Sequence, residues 1–340
     1  MTTFALVTIL LVLIALALAG YTAALLLGLR LVKSTDRSLK KSIAAVLLMQ
    51  LVAIATSIVG ATPQTFGLTP STTVQVLLFV TTVAASAAII RLCFPTLSLL
   101  RVLAAWIPVL FTGVLLLALS FFVVRPFLVE AYSIPTNSMA PTLVGLGWTG
   151  ICPDCGSPIY GTSYAGPLGD WIREPHGICD KFHVSNKTAD TTERTQGDHI
   201  LAVKWLKPRR WDLVVYRQPD NPETLYVKRL VGLPGETVTI EDGAININGK
   251  RAPLPENLRG VQYATVIDGK AVNWGTVDQP AELKDDEYFV LGDNTYRALD
   301  SRLWQSGADG HSAYALPGEN LVGVVTHIYW PPSRWRAFGR

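Results

Sequence analysis

Residues 1–124 contain one acidic side chain, Asp36, and seven Lys or Arg, all confined to short stretches between long apolar runs. So long a chain with so little charge does not make a water-soluble fold; it reads as a helical region embedded in a membrane. A bilayer's hydrocarbon core needs about 20 apolar helical residues to cross it. Residues 1–29 carry no charge, and Phe4–Leu27 is almost continuously Leu, Ala, Val and Ile. A cleaved secretion signal would have a basic start and an apolar centre of roughly 7–15 residues. Here Met1-Thr2-Thr3 is uncharged and the run is longer, so the segment reads as a membrane span. Residues 42–90 are also uncharged, too many for one helix, and Pro63, Gly67 and Pro70 break the run between Ala61 and Thr73. Four spans are predicted, near 4–27, 43–60, 73–91 and 103–124.

Their orientation follows from the basic residues. Arg30, Lys33, Arg37, Lys40 and Lys41 occupy the first connection and Arg91 and Arg101 the third, while the second is uncharged. Basic loops face the cytoplasm, which puts the N-terminus and everything after residue 124 on the extracytoplasmic side. No acid or His interrupts a span, so the region reads as an anchor and not as a transport path.

Residues 125–340 hold 22 basic and 25 acidic residues, the balance of an ordinary soluble domain, and give no reason to expect a nucleic-acid partner. Short runs rich in Val, Ile and Tyr alternate with Gly, Pro and Asp. The expected strands are His199–Trp205, Asp212–Arg217, Leu225–Leu233, Thr237–Glu241, Ala244–Ile247, Glu287–Leu291 and Leu321–Tyr329. Asp242-Gly243 and Asn248-Gly249 are hairpin turns, so a β-hairpin insertion is expected at about 237–285. No βαβ alternation and no phosphate-binding glycine motif is present, which argues against nucleotide chemistry. The fold class is an N-terminal α-helical membrane region of four spans (1–124) followed by a mainly antiparallel β domain (125–340).

Three stretches carry chemistry: Ile134–Leu143 around Ser138, Tyr226–Glu236 around Lys228, and Gly292-Asp293-Asn294 followed by Asp300-Ser301-Arg302. A serine hydroxyl needs a base before it attacks a carbonyl, and the five His offer no Ser-His-Asp arrangement. A lysine serves if burial keeps its amine neutral, and Lys228 lies in an apolar strand. A Ser–Lys dyad is a known variant of this chemistry.

The order Ser138-Met139-Ala140-Pro141-Thr142-Leu143, Gly197-Asp198-His199-Ile200, Tyr226-Val227-Lys228-Arg229-Leu230-Val231-Gly232-Leu233-Pro234-Gly235-Glu236, Gly292-Asp293-Asn294 and Asp300-Ser301-Arg302 resembles bacterial type I signal peptidase over residues 125–143, 197–236 and 287–335. The resemblance implies a signal-peptidase-type β catalytic domain and a membrane-bound serine endopeptidase that removes N-terminal signal peptides from exported preproteins after Ala-x-Ala-like sites. Ser138 would be the nucleophile and Lys228 the general base. The Ser138 N–H and the Thr136 hydroxyl would form the oxyanion hole. Met139 would pack beside the dyad, and Asp293, Asp300, Ser301 and Arg302 would form a supporting polar cluster. No cofactor is implied for catalysis. The implied partners are preproteins, the lipid bilayer and the export machinery, in the bacterial cytoplasmic (inner) membrane. One position departs from the pattern: the family usually has Ser two residues before the Asp of D-S-R, where this chain has Ala298. Thr295 or a water is expected to replace that hydroxyl at Lys228. Two other readings are a self-cleaving repressor-type Ser–Lys protease, disfavoured by the four spans, and an inactive or weak zinc-stabilised binding protein for exported chains.

A second motif lies in an insertion at about 147–196. Cys152-Pro153-Asp154-Cys155-Gly156 is a tight CxxC knuckle, followed by His176-Gly177-Ile178-Cys179 and then His183. Cys152, Cys155, His176 and Cys179, with His183 as the alternative ligand, resemble a zinc ribbon, and four such ligands close a structural site. A disulfide is the competing expectation for thiols outside the cytoplasm, although three thiols there would leave one unpaired. Trp330–Arg336 reads either as an interfacial belt or as a solvated tail, and Asn186-Lys187-Thr188 is a formal glycosylation sequon.

Overall fold

Four helices carry the apolar runs: α1 (Thr3–Leu31), α2 (Leu39–Thr65), α3 (Thr72–Cys93) and α4 (Leu99–Leu119), with a wider π-helical segment continuing α4 over Ser120–Leu128. This computed structural model describes residues 3–65, 72–165, 171–185 and 193–339. Gly67 and Pro70 of the expected break, and the sequon at 186–188, lie outside the described residues. All four helices are long and apolar enough to cross a membrane. α1 and α3 run past their apolar cores to take in Arg30 and Arg91, cations placed favourably at the carbonyl end of a helix. Leu25, Leu29, Ala45, Val46, Ile90, Val102 and Ala105 make one buried seam, whereas Leu16, Leu51, Phe79 and Phe111 stay exposed. A helix bundle that is apolar outside as well as inside is suited to lipid.

The chain divides into two compact units, Thr2–Val124 and Arg125–Arg340. In the second, the strands are β1 (Val129–Ser133), β2 (Leu146–Ile151), β3 (Pro158–Ala165), β4 (Trp171–Cys179), β5 (Val184–Ser185), β6 (Glu193–Gln196), β7 (His199–Val203), β8 (Leu213–Gln218), β9 (Asn221–Gly232), β10 (Thr237–Glu241) and β11 (Ala244–Ile247). Then come the short β12 (Lys250–Arg251), β13 (Val266–Ile267), β14 (Lys270–Ala271) and β15 (Ala281–Glu282), followed by β16 (Glu287–Leu291), β17 (Leu316–Pro317), β18 (Leu321–Trp330) and β19 (Arg336–Ala337). The main sheet has the order β1-β7-β18-β8-β9-β16-β17, with β19 on β18. A five-stranded ribbon, β5-β4-β3-β2-β6, is inserted between β1 and β7, and β12-β11-β10-β15 is inserted between β9 and β16. The strand pairings are antiparallel.

In the C-terminal segment Trp330, Trp335 and Arg336 are exposed, while Arg334 turns inward. Arg334 Nε donates to Asp198 Oδ1 at 2.7 Å and Nη2 to Oδ2 at 2.9 Å, and Asp198 Oδ2 also accepts the Val144 N–H at 2.8 Å. The tail is thereby tied to the main sheet where the ribbon is inserted.

The loop between β16 and β17 is organised by Arg302, which is fully buried. Its Nε and Nη2 donate to Asp300 Oδ1 and Oδ2 at 2.9 and 2.8 Å. Its other hydrogen atoms go to Thr295 Oγ1 (2.7 Å), Thr295 O (2.9 Å) and Ala264 O (2.7 Å). Asp300 Oδ2 also accepts the Gly292 N–H at 2.9 Å, and Ser301 exchanges two hydrogen bonds with the Val290 backbone. Removing one partner of such a buried pair strands the other charge at a cost of about 3–5 kcal/mol. Arg302→Met is therefore expected to lower unfolding free energy by about that amount, read by thermal or denaturant melts of the detergent-solubilised chain. Arg259→Met, which breaks only the exposed pair with Glu256, should leave the melt unchanged.

Candidate active site

Ser138 lies in a single 3₁₀ turn, Asn137–Met139, that follows β1. Buried Met139 anchors this turn among Ile134, Leu143, Ile200, Leu213 and Val215. Separate segments hold its backbone. Asn294 Nδ2 donates to Asn137 O at 3.1 Å and the Asn294 N–H to Ser138 O at 3.2 Å. Asn137 Nδ2 donates to Gly161 O on β3 at 2.8 Å, while its Oδ1 accepts the Gly145 N–H at 2.7 Å. Gly292 must lack a side chain, because a Cβ there would lie 2.8 Å from Ser138 O and 2.1 Å from the Ala298 methyl.

Lys228 projects from β9, flanked in the sheet by β8 and β16. Successive side chains leave a strand on opposite faces, which separates Lys228 from its neighbour Arg229. Lys228 is 1% exposed, and its Nζ makes hydrogen bonds to Ser138 Oγ (3.0 Å) and Val227 O (3.1 Å). Burial lowers its pKa from 10.5 to about 8, against the opposing pull of Asp300 and Asp293. An amine so close to neutrality, within hydrogen-bond reach of a hydroxyl, is able to take that hydroxyl's proton. Thr136, at the head of the turn, is exposed and its side chain makes no capping hydrogen bond.

The expected supporting cluster is two clusters. Asp300, Ser301 and Arg302 sit together as described above. Asp293 is instead bound by Arg229, whose Nε donates to Asp293 Oδ1 at 2.7 Å and whose Nη2 donates to Oδ2; Thr142 Oγ1 donates to the same Oδ2. Arg229 and Asn137 were not singled out in the sequence. The β9 alternation could have exposed Arg229, since it buries a second cation on the face opposite Lys228, whereas nothing local distinguishes Asn137. Thr295 does not replace the missing hydroxyl at Lys228. Its Oγ1 accepts from Arg302 Nη1 and from the Ala264 N–H, both at 2.7 Å, because the buried guanidinium needs that acceptor. Ala298 is buried and supplies only a methyl group.

In the ribbon, Cys152, Cys155, Cys179 and His183 converge, with their ligand atoms all within 4.8 Å of one another. His176, the first-choice ligand in the sequence, is replaced by the alternative, His183. His176 lies on β4, where its Nδ1 is 3.0 Å from Arg297 Nη2; His183 follows the tight turn after Cys179, which returns it to the sulfurs.

A family model described as signal peptidase, peptidase S26, matches residues 177–330, which take in Lys228 and Arg302 but not Ser138. The signal peptidase I of Bacillus licheniformis is 37% identical over 130 residues, covering 37% of this chain and 67% of that protein. The signal peptidase I of Pseudomonas fluorescens is 28% identical over 235 residues, 62% of this chain and 69% of the relative. For the signal peptidase I of Leptolyngbya laminosa the match is 32% over 139 residues, and it spans only 58% of that relative's length and 39% of this chain. With these relatives and the β-sheet platform that brings Ser138 to Lys228, the chain belongs to the signal peptidase family, peptidase S26, a family of serine endopeptidases.

Proposed function

We propose that this protein is a membrane-anchored serine endopeptidase that removes N-terminal signal peptides from exported preproteins, with Ser138 as nucleophile and Lys228 as general base. The observation that carries this reading is the 3.0 Å contact between Ser138 Oγ and a buried amine whose pKa is drawn down to about 8. Neutral Lys228 takes the hydroxyl proton as Oγ attacks the scissile carbonyl carbon. The Ser138 N–H and the Thr136 hydroxyl donate to the oxyanion that forms; such donors are each worth about 3–4 kcal/mol in the transition state. Lys228 then gives its proton to the departing amine, leaving an acyl-enzyme, and in the second half-reaction it accepts a proton from the attacking water.

β1 ends the main sheet and runs directly into the nucleophile turn. A signal peptide lying extended along that edge would gain affinity from strand pairing. Its −1 and −3 side chains would point the same way, because strand periodicity is two, and small residues there fit an Ala-x-Ala-like rule. The helices anchor the enzyme in the bacterial cytoplasmic membrane, with the β domain on the extracytoplasmic side where a membrane-held signal peptide presents its cleavage site. The additional spans offer surfaces for the bilayer and for the export machinery.

A purified preprotein with an Ala-x-Ala site, incubated with the detergent-solubilised chain, should be cut after that site, as read from the mass of the new N-terminus. Ser138→Ala and Lys228→Ala should each lower the rate by about four orders of magnitude or more. Survival of cleavage in Lys228→Ala would remove the lysine from the mechanism. A folded wild type that binds the preprotein without cutting it would favour a zinc-stabilised binding protein for exported chains, a reading supported by Ala298 standing where a second hydroxyl would have met Lys228.

Because the reactive form is the neutral amine, kcat/KM should rise about tenfold per pH unit below about 8 and level off above it. The same shift destabilises the fold. With the folded pKa below the unfolded value, the penalty is fully present below pH 8, shrinks between about 8 and 10.5, and vanishes above. Lys228→Met should therefore melt higher than wild type at pH 6–7, by up to roughly 3 kcal/mol in unfolding free energy, with the gap closing as pH rises towards 10.

A further inference from the structure

The ribbon makes tight turns to bring its thiols together. In the CxxC knuckle the Gly156 N–H donates to Cys152 O at 2.9 Å and the Cys152 N–H to Ser157 O at 2.8 Å. Gly156 adopts φ +69° with open space around it, a left-handed turn that glycine makes without strain. At the end of β4 a second turn closes when the Cys179 N–H donates to His183 O at 3.0 Å, and the His183 N–H points at Cys179 Sγ from 3.3 Å. A backbone N–H aimed at sulfur stabilises a thiolate more than a thiol. The cysteines are free, and Cys155 Sγ lies 3.7 Å from Cys179 Sγ. Two sulfurs at about 2.3 Å from one tetrahedral zinc stand about 3.8 Å apart, whereas a covalent S–S bond is about 2.05 Å.

The donor set narrows the ligand further. Three thiolates and an imidazole suit zinc and reject calcium or magnesium, which take oxygen ligands. Four protein ligands leave no open coordination position, so the ion would be structural. Cys152 and Cys179 are buried against Trp148 and Ile159, while exposed His183 closes the set from the solvent side. A single disulfide would consume two of the thiols and strand the third.

The ribbon also bears on the nucleophile. Trp148, packed against Cys152, Cys155 and Cys179, lies over Gly161 so closely that a Cβ there would be 2.1 Å from the indole. The Gly161 carbonyl in turn accepts from Asn137, the residue before Ser138. We propose that Cys152, Cys155, Cys179 and His183 bind one structural zinc ion, and that this ion sets the ribbon whose Gly161 carbonyl holds the nucleophile turn in place.

Metal analysis of the full chain, purified in detergent without added zinc, should find about one zinc per molecule. Cobalt(II) exchanged into the site should give the visible bands of a tetrahedral ion with thiolate charge transfer. These readouts do not depend on the chain being a peptidase. His183→Ala should alter the cobalt spectrum and weaken metal retention, whereas His176→Ala should leave both as in wild type. Stripping the metal from wild-type protein should lower its Tm by roughly 5 °C or more and slow preprotein cleavage about tenfold to a hundredfold, and zinc alone should restore both. Substoichiometric zinc in the purified chain, a Cys–Cys disulfide found by mass spectrometry, or a cobalt spectrum lost in His176→Ala but kept in His183→Ala would overturn the site. Metal-free protein that melts and cleaves like the zinc-loaded form would overturn its link to Ser138.

Discussion

A primary amine held out of water beside a hydroxyl is the constraint around which the β domain is arranged. Among the described residues Lys228 Nζ has two hydrogen-bond partners, Ser138 Oγ and Val227 O, so it cannot be solvated as an ammonium ion without cost. Its strand is covered on both sides, by β8 and by β16, and the turn carrying Ser138 closes over its end. Its side chain leaves the sheet on one face, where packing against the Ser138 turn keeps Nζ from water.

The carboxylates nearby pull in the opposite direction. Asp293 and Asp300 both raise the Lys228 pKa, and an unpaired carboxylate at that depth would hold the lysine protonated. Each is instead neutralised by its own arginine in two-point contact, Asp293 by Arg229 and Asp300 by Arg302. A guanidinium carries a full positive charge in a fixed planar fork, so each arginine offsets the field of its own carboxylate at the lysine. These pairs also shape the site: Asp300 fixes Gly292 and Asp293 fixes Thr142, which places the 292–294 backbone against Ser138 O. The pairs contribute little net stability, since desolvation offsets most of their attraction, and their value lies in position and in a screened field.

The sequence discloses the parts of this design that are local or periodic. Strands such as Thr237–Glu241, Ala244–Ile247 and Glu287–Leu291 are legible from alternation and turn dipeptides, and their ends agree with the structure. The candidate dyad is legible because Ser138 and Lys228 sit in distinctive motifs. What cannot be read is which distant partner each polar group meets. Asp293 belongs with Arg229, 64 residues away, and not with the Asp-Ser-Arg motif nearby. The choice between His176 and His183 turned on the direction of one tight turn after Cys179, which spacing does not encode. Thr295 is near Lys228 in the motif but is taken by Arg302, a competition visible only once the guanidinium is placed.

The ribbon shows how a large insertion is accommodated next to a site that tolerates little displacement. It leaves the main sheet after Gly145 and returns at Gly197, and these ends are held together: the Asp198 N–H donates to Val144 O at 2.7 Å, and Asp198 Oδ2 accepts the Val144 N–H. Because the exit and re-entry points are bonded directly to each other, some fifty residues add loop-closure entropy that grows only logarithmically with length. The sheet carrying Lys228 need not move to admit them. Yet the insertion does more than hang from its clamp, since β3 reaches back to Asn137. Ser138 is therefore linked to the ribbon through Asn137, and the ribbon's apolar burial is modest: Trp148, Ile159, Cys152 and Cys179 around the cysteines, and Tyr160 and Ile178 against Ala140 and Val144. The zinc proposed above would bind through two of those same buried cysteines and add its own cross-link to the ribbon.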